Sequence, residues 1–148
     1  MVDRIQREVG AGVLRDFIAG KITNDEFDAR FPFSSEDGAL QAIGSNVWML
    51  YSDLRVHKLT GKFEPNPQVR ALLERAVLFL GTSLEFEWPV PRISLLNVFR
   101  GSWLRVKRWL RLAPQEEDLW RSYGGNPDLW PFFRRSDYEP QVASQSKP

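Results

Sequence analysis

The sequence predicts a mainly α-helical single domain of five to six helices, and three observations carry that prediction. Six segments show helical periodicity or capping signals, whereas only one short segment alternates with the period of a strand. With 148 residues, 43% hydrophobic and 26% charged, the chain is long and apolar enough for one core and needs no second domain.

Taken in order, Ile5, Val9, Val13 and Phe17 recur at i, i+4 and place one apolar stripe on a first helix, with Gly20 as its terminator. Gly10 and Gly12 weaken that helix, because glycine loses the most backbone freedom on folding. Thr23 followed by Glu26 forms a capping-box pattern, which starts a short second helix running to about Ala29, before Phe31-Pro32. Ser35 is placed to cap a long third helix whose Leu40, Ile43, Val47, Leu50, Tyr51 and Leu54 share one arc. Gly61 is expected to end it. Pro67 suits the first turn of a fourth helix, whose apolar face is Val69, Leu72, Leu73, Ala76, Phe79 and Leu80, closed by Gly81.

Leu84-Glu85-Phe86-Glu87-Trp88 alternates apolar and charged residues, but Pro89 and Pro91 cut the pattern short. An extended connector or an edge strand is expected there, the latter leaving an α+β fold with a small sheet as the alternative. Residues 93–112 predict a fifth helix and Glu116 to Arg121 a short sixth, before the turn Gly124-Gly125-Asn126-Pro127. The domain is expected to span 1–138, with 139–148 as a flexible tail.

Cysteine is absent, which removes disulfides, thiolate metal sites and cysteine nucleophiles, and fits a reducing compartment. The opening MVDRIQREVG has no apolar run of the signal-peptide kind, and no uncharged window of ~20 residues suits a membrane span. A cytoplasmic location is the expectation. Net charge is +1, but Arg92, Arg100, Arg105, Lys107, Arg108 and Arg111 put six cations and no acid into residues 92–112, leaving the rest of the chain at −5. Residues 16–37 carry Asp16, Asp25, Glu26, Asp28, Glu36 and Asp37 against Lys21 and Arg30. The molecule is thus expected to be electrically two-sided.

Several chemistries lack their residues. One His and no Cys cannot build a zinc finger or an H-E-x-x-H site, and neither the dinucleotide glycine fingerprint, a phosphate-binding G-x-x-x-x-G-K-[ST] loop nor a G-x-S-x-G elbow is present. No cofactor is implied. Asp53 and His57, four residues apart on the expected third helix, are the candidate acid/base pair, since a carboxylate orients an imidazole that titrates near neutrality. The same spacing also serves helix stability alone. Glu85 and Glu87 project to one side of an extended segment and are candidate ligands of a divalent cation, or else a solvated face.

Helix five sets Leu95, Phe99, Trp103, Val106, Trp109 and Leu110 on one face, opposite Arg100, Arg105, Lys107, Arg108 and Arg111. That basic face suits phosphates, an anionic surface or an acidic protein, and equally a solvated helix packed on the core. Of six Trp, Trp48 falls off the apolar arc of helix three, and Trp130 lies in the apolar run Leu129-Trp130-Pro131-Phe132-Phe133. Both are candidate binding residues, because Trp is enriched at interaction hot spots.

Trp48-Met49-Leu50-Tyr51-Ser52-Asp53-Leu54 with His57-Lys58-Leu59, Phe79-Leu80 and Leu84-Glu85-Phe86-Glu87-Trp88-Pro89 resembles a group of small bacterial proteins with no assigned activity. The resemblance spans residues 10–90 and Trp130-Pro131-Phe132, and implies a bacterial origin and one helical domain, with no activity attached. Helix five lies outside it.

The functional expectation is a non-enzymatic protein-binding module, of the kind that includes toxin-neutralising immunity proteins and regulatory adaptors, with a charged protein as partner. The alternatives are a small enzyme using Asp53 and His57, and a nucleic-acid binder using the basic helix 92–112. Oligomeric state is not legible in the sequence.

Overall fold

The computed structural model describes residues 1–50, 55–88 and 126–145, and among these it is helical, with no strand. Five α-helices follow in order: α1 (Arg4–Ile18), α2 (Asn24–Arg30), α3 (Gly38–Trp48), α4 (Pro67–Leu80) and α5 (Arg135–Gln145). Short 3-10 turns stand at Gly61–Phe63 and Pro127–Leu129. No helix among the described residues is long and apolar enough to cross a membrane.

Local chemistry sets the helix starts. Asp3 caps α1 by accepting from the Gln6 N–H at 3.0 Å, and Thr23 and Glu26 complete the expected capping box on α2. Asn66 caps α4 through the Val69 N–H, with Pro67 at the position where a missing N–H is harmless. Helix α4 ends at Gly81 as the sequence predicts.

The buried face of α1 differs from the expected stripe. Phe17 is buried, but Ile5 is 75% exposed and Val9 is exposed too, while Arg7, Gly10, Ala11 and Leu14 turn inward. The cause is an ion pair that periodicity counts as polar. Arg7 and Asp37 are both buried and joined bidentately, Nε to Oδ2 at 2.6 Å and Nη2 to Oδ1 at 2.9 Å. Arg7 Nη1 also donates to the Thr82 and Leu84 carbonyls at 3.2 and 2.8 Å. One side chain thereby ties α1 to the start of α3 and to the connector after α4. Gly10 permits the close approach on this face, since a Cβ there would lie 2.8 Å from Leu40 Cδ2.

Asp37 is also why α3 starts later than Ser35. Its Oδ1 accepts from the Ala39 N–H at 2.9 Å and its Oδ2 from the Asp3 N–H at 2.9 Å, so one carboxylate caps α3 and holds α1. Burial pushes this carboxyl up, but the hydrogen bonds from Arg7, Asp3 and Ala39, with the Arg7 charge, outweigh it and hold the group below its ordinary value.

Helix α3 also ends earlier than expected, at Trp48, and residues 55–58 are not helical. Gly61 opens a 3-10 turn instead of closing a long helix. Asn24 supplies the competing bonds: its Oδ1 accepts from the His57 N–H at 2.8 Å, its own N–H donates to the His57 carbonyl at 3.0 Å, and its Nδ2 donates to the Arg55 carbonyl at 3.4 Å. Arg55 and His57 are thus bonded to Asn24 at the start of α2.

The core lies where α1 packs on α4, with α2 against α1 and α3 against α4. Leu14, Phe17, Phe27, Leu40, Ile43 and Leu80 fill it. Phe132 joins from the C-terminal segment, 5.0 Å from the Phe79 ring and 5.3 Å from Tyr138 of α5. Residues 139–145, expected as tail, lie within α5, which takes Pro140 inside it. The connector at 83–87 makes no ladder. Expected helices five and six lie outside the described residues.

Candidate functional site

The end of α3 and the loop after α2 form an exposed apolar face. Trp48 is 48% exposed and Met49 77%, and with Phe33, Ser45 and Asp28 they line a shallow groove of about 470 Å³. Large apolar side chains side by side in water are unusual on a folded surface and mark contact sites. Trp48 is exposed for the reason its sequence position suggests, since Leu40, Ile43 and Val47 take the buried arc of α3. Met49 follows as the C-cap residue and Leu50 remains partly exposed beside it.

Aromatic packing holds the other wall. Phe27 is fully buried and its ring centroid lies 4.9 Å from Phe17, 5.0 Å from Phe31 and 6.1 Å from Phe33, with the last contact edge-on. Phe33 then crosses α3 at Gly44, where a Cβ would stand 2.6 Å from Phe33 Cε1 and 2.9 Å from Phe31 Cε1. Gly44→Ala is therefore expected to push both rings outward and to destabilise the protein by about 1–3 kcal/mol, measured by chemical denaturation. Unchanged stability would mean that the rings move freely.

One carboxylate, Asp28, lines the groove; Asp25, Glu26 and Glu36 are exposed elsewhere on the same stretch, with Arg30 and Lys58 close to Glu26. The Glu26 carboxyl is held below its ordinary value, chiefly by the hydrogen bond from the Thr23 N–H, and so stays charged. Asp37 does not contribute to this surface, being buried on Arg7, and Asp16 is paired with Lys21 at 3.0 Å. The acidic surface of residues 16–37 is thus smaller than its count of carboxylates.

The other candidate residues are dispersed. His57 is buried beyond the end of α3 and is not helical, stacked on Phe63 with centroids 4.2 Å apart. Its Nδ1 stands 2.9 Å from the Arg55 carbonyl and must carry the proton, because a carbonyl only accepts. Asp53 lies outside the described residues. Glu87 gives both oxygens to Arg134, at 2.9 and 2.8 Å, and Glu85 lies 3.6 Å from the Met1 amine. No group of three or more potential ligands among the described residues could hold a metal ion. Trp130 packs partly buried against the core and its carbonyl accepts from Arg75 Nε at 3.1 Å. Arg100, Arg105, Lys107, Arg108 and Arg111 lie outside the described residues.

Nothing in the local sequence marks Phe33 or Asp28 as neighbours of Trp48 and Met49 in one groove. The glycine at 44, unremarkable in sequence, was the one available signal that a ring crosses α3 there. No known protein family, curated protein or solved structure matches this chain.

Proposed function

We propose that the chain is a non-enzymatic protein-binding module whose contact face is the Trp48–Met49 groove and whose partner presents an apolar side chain flanked by basic residues. The exposure of Trp48 and Met49 on a groove rimmed by Asp28 is the observation that carries this reading. An aromatic and a methionine side chain supply the apolar centre typical of hot spots, and Met adapts its shape to what it meets. The acidic rim residue Asp28 favours a partner with basic residues beside its apolar side chain. Toxin-neutralising immunity proteins and regulatory adaptors are the functional classes that this construction fits, and a bacterial cytoplasmic setting suits both.

Affinity co-purification at low and moderate salt, with wild type and a Trp48→Ser/Met49→Ser variant side by side, tests the reading. Wild type is expected to retain one stoichiometric protein, less firmly as salt rises, and the variant to release it while keeping its melting temperature. Retention of the same protein by both forms would place the contact elsewhere and refute the proposal.

A further inference from the structure

A second opening lies on the molecule, lined by the loop at 57–66 and by parts of α1, α3 and α4. It encloses about 260 Å³, and its floor is made by the buried side chains of Phe17, Val47, Leu59 and Leu73. Protein interiors are normally filled to crystal-like density, so an opening that reaches four core side chains is a shaped feature of the fold. One wall is aromatic: His57 and Phe63 both line the opening, their rings stacked with centroids 4.2 Å apart and planes 29° from parallel. The Asn24 bonds to His57 and the Arg55 carbonyl on Nδ1 hold that imidazole in place.

The lip is cationic at one point. Lys62 lies exposed there with its Nζ 5.0 Å over the Phe63 ring, and among the described residues it has no acidic partner. Glu64, the carboxylate beside it, is engaged by Arg70 at 3.1 Å, and the Asn66 oxygen is taken by the Val69 N–H. An apolar floor, an aromatic wall and an ammonium with no acidic partner among the described residues define a complementary ligand. It has a single ring and a negative charge at one end. The space exceeds the roughly 150 Å³ that accepts benzene in a dry apolar cavity, which leaves room for a short side arm.

We infer that this cavity binds a small aromatic carboxylate, with the ring on the floor beside Phe63 and the carboxylate on Lys62. The site is separate from the Trp48–Met49 groove and shares none of its lining residues, although Leu50 of its lining follows Met49 in the chain.

The test is a titration of the full-length protein with benzoate, phenylacetate and phenylpropionate, followed by amide chemical shifts, with phenethyl alcohol as the neutral counterpart. At least one of the acids is expected to give saturable shifts centred on His57, Leu59, Phe63 and Val69. Lys62→Gln, an exposed substitution, should weaken the acid by roughly tenfold, as expected for a charge-assisted contact, and leave the alcohol unchanged. Val69→Phe, which fills the opening, should abolish both. The inference is overturned if no acid saturates by about 10 mM, if the shifts map elsewhere, or if Lys62→Gln weakens the acid and the alcohol alike.

Discussion

Asp37→Asn is expected to destabilise the protein by about 3–5 kcal/mol, measured by chemical denaturation, because it leaves the buried Arg7 guanidinium without a counter-charge. The amide retains an oxygen for the Ala39 N–H, but its NH2 replaces the oxygen that accepts from the Asp3 N–H and Arg7 Nε, so the loss combines the charge pair with those two bonds. A double variant, Arg7→Met with Asp37→Asn, is expected to recover part of that loss, since the stranded charge is gone. Recovery is incomplete because the Thr82 and Leu84 carbonyls then lose their donor. Additive losses in the double variant would contradict direct coupling. The pair also sets an acid dependence. The folded-state value of Asp37 is below its ordinary 3.8, so its contribution is complete above 3.8 and is lost as pH falls through the lower folded-state value. Wild type should lose stability more steeply than Asp37→Asn in that acid range, and parallel curves would refute the assignment.

Phe27→Ala is expected to cost about 3–5 kcal/mol, a large part of the stability of a domain this size. Phe27 is the fully buried ring on which Phe17, Phe31 and Phe33 converge. Its removal opens a void under the wall of the candidate contact face. Phe27→Leu should lose less, because much of the volume is kept. A small effect from the alanine variant, under about 1 kcal/mol, would mean that the aromatic cluster does not anchor α2.

Local signals in the sequence are carried into the structure where the partners are close in the chain. The Thr23–Glu26 capping box, Pro67 at the start of α4 and Gly81 at its end all act within a few residues, and their elements stand where expected. The departures come from partners far apart. Arg7 is inside because Asp37, thirty residues on, receives it, and a periodicity that counts arginine as polar turns α1 the wrong way. His57 is off the helix because Asn24, thirty-three residues earlier, bonds its backbone. The candidate face was half legible: Trp48 is marked by its place off the apolar arc, whereas Phe33 and Asp28 reach it only through the packing of α2 on α1 and of Phe33 across Gly44.

The central claim, that the groove at Trp48 and Met49 is where a basic protein partner docks, is tested most directly by photo-cross-linking from within it. A benzophenone side chain at Ser45, which lines the groove, is compared with one at the exposed Gln68 at the start of α4. A single protein adduct from position 45 that is absent from position 68, and that weakens as salt rises, is the predicted result. No adduct from position 45, or the same adduct from both positions, would contradict it.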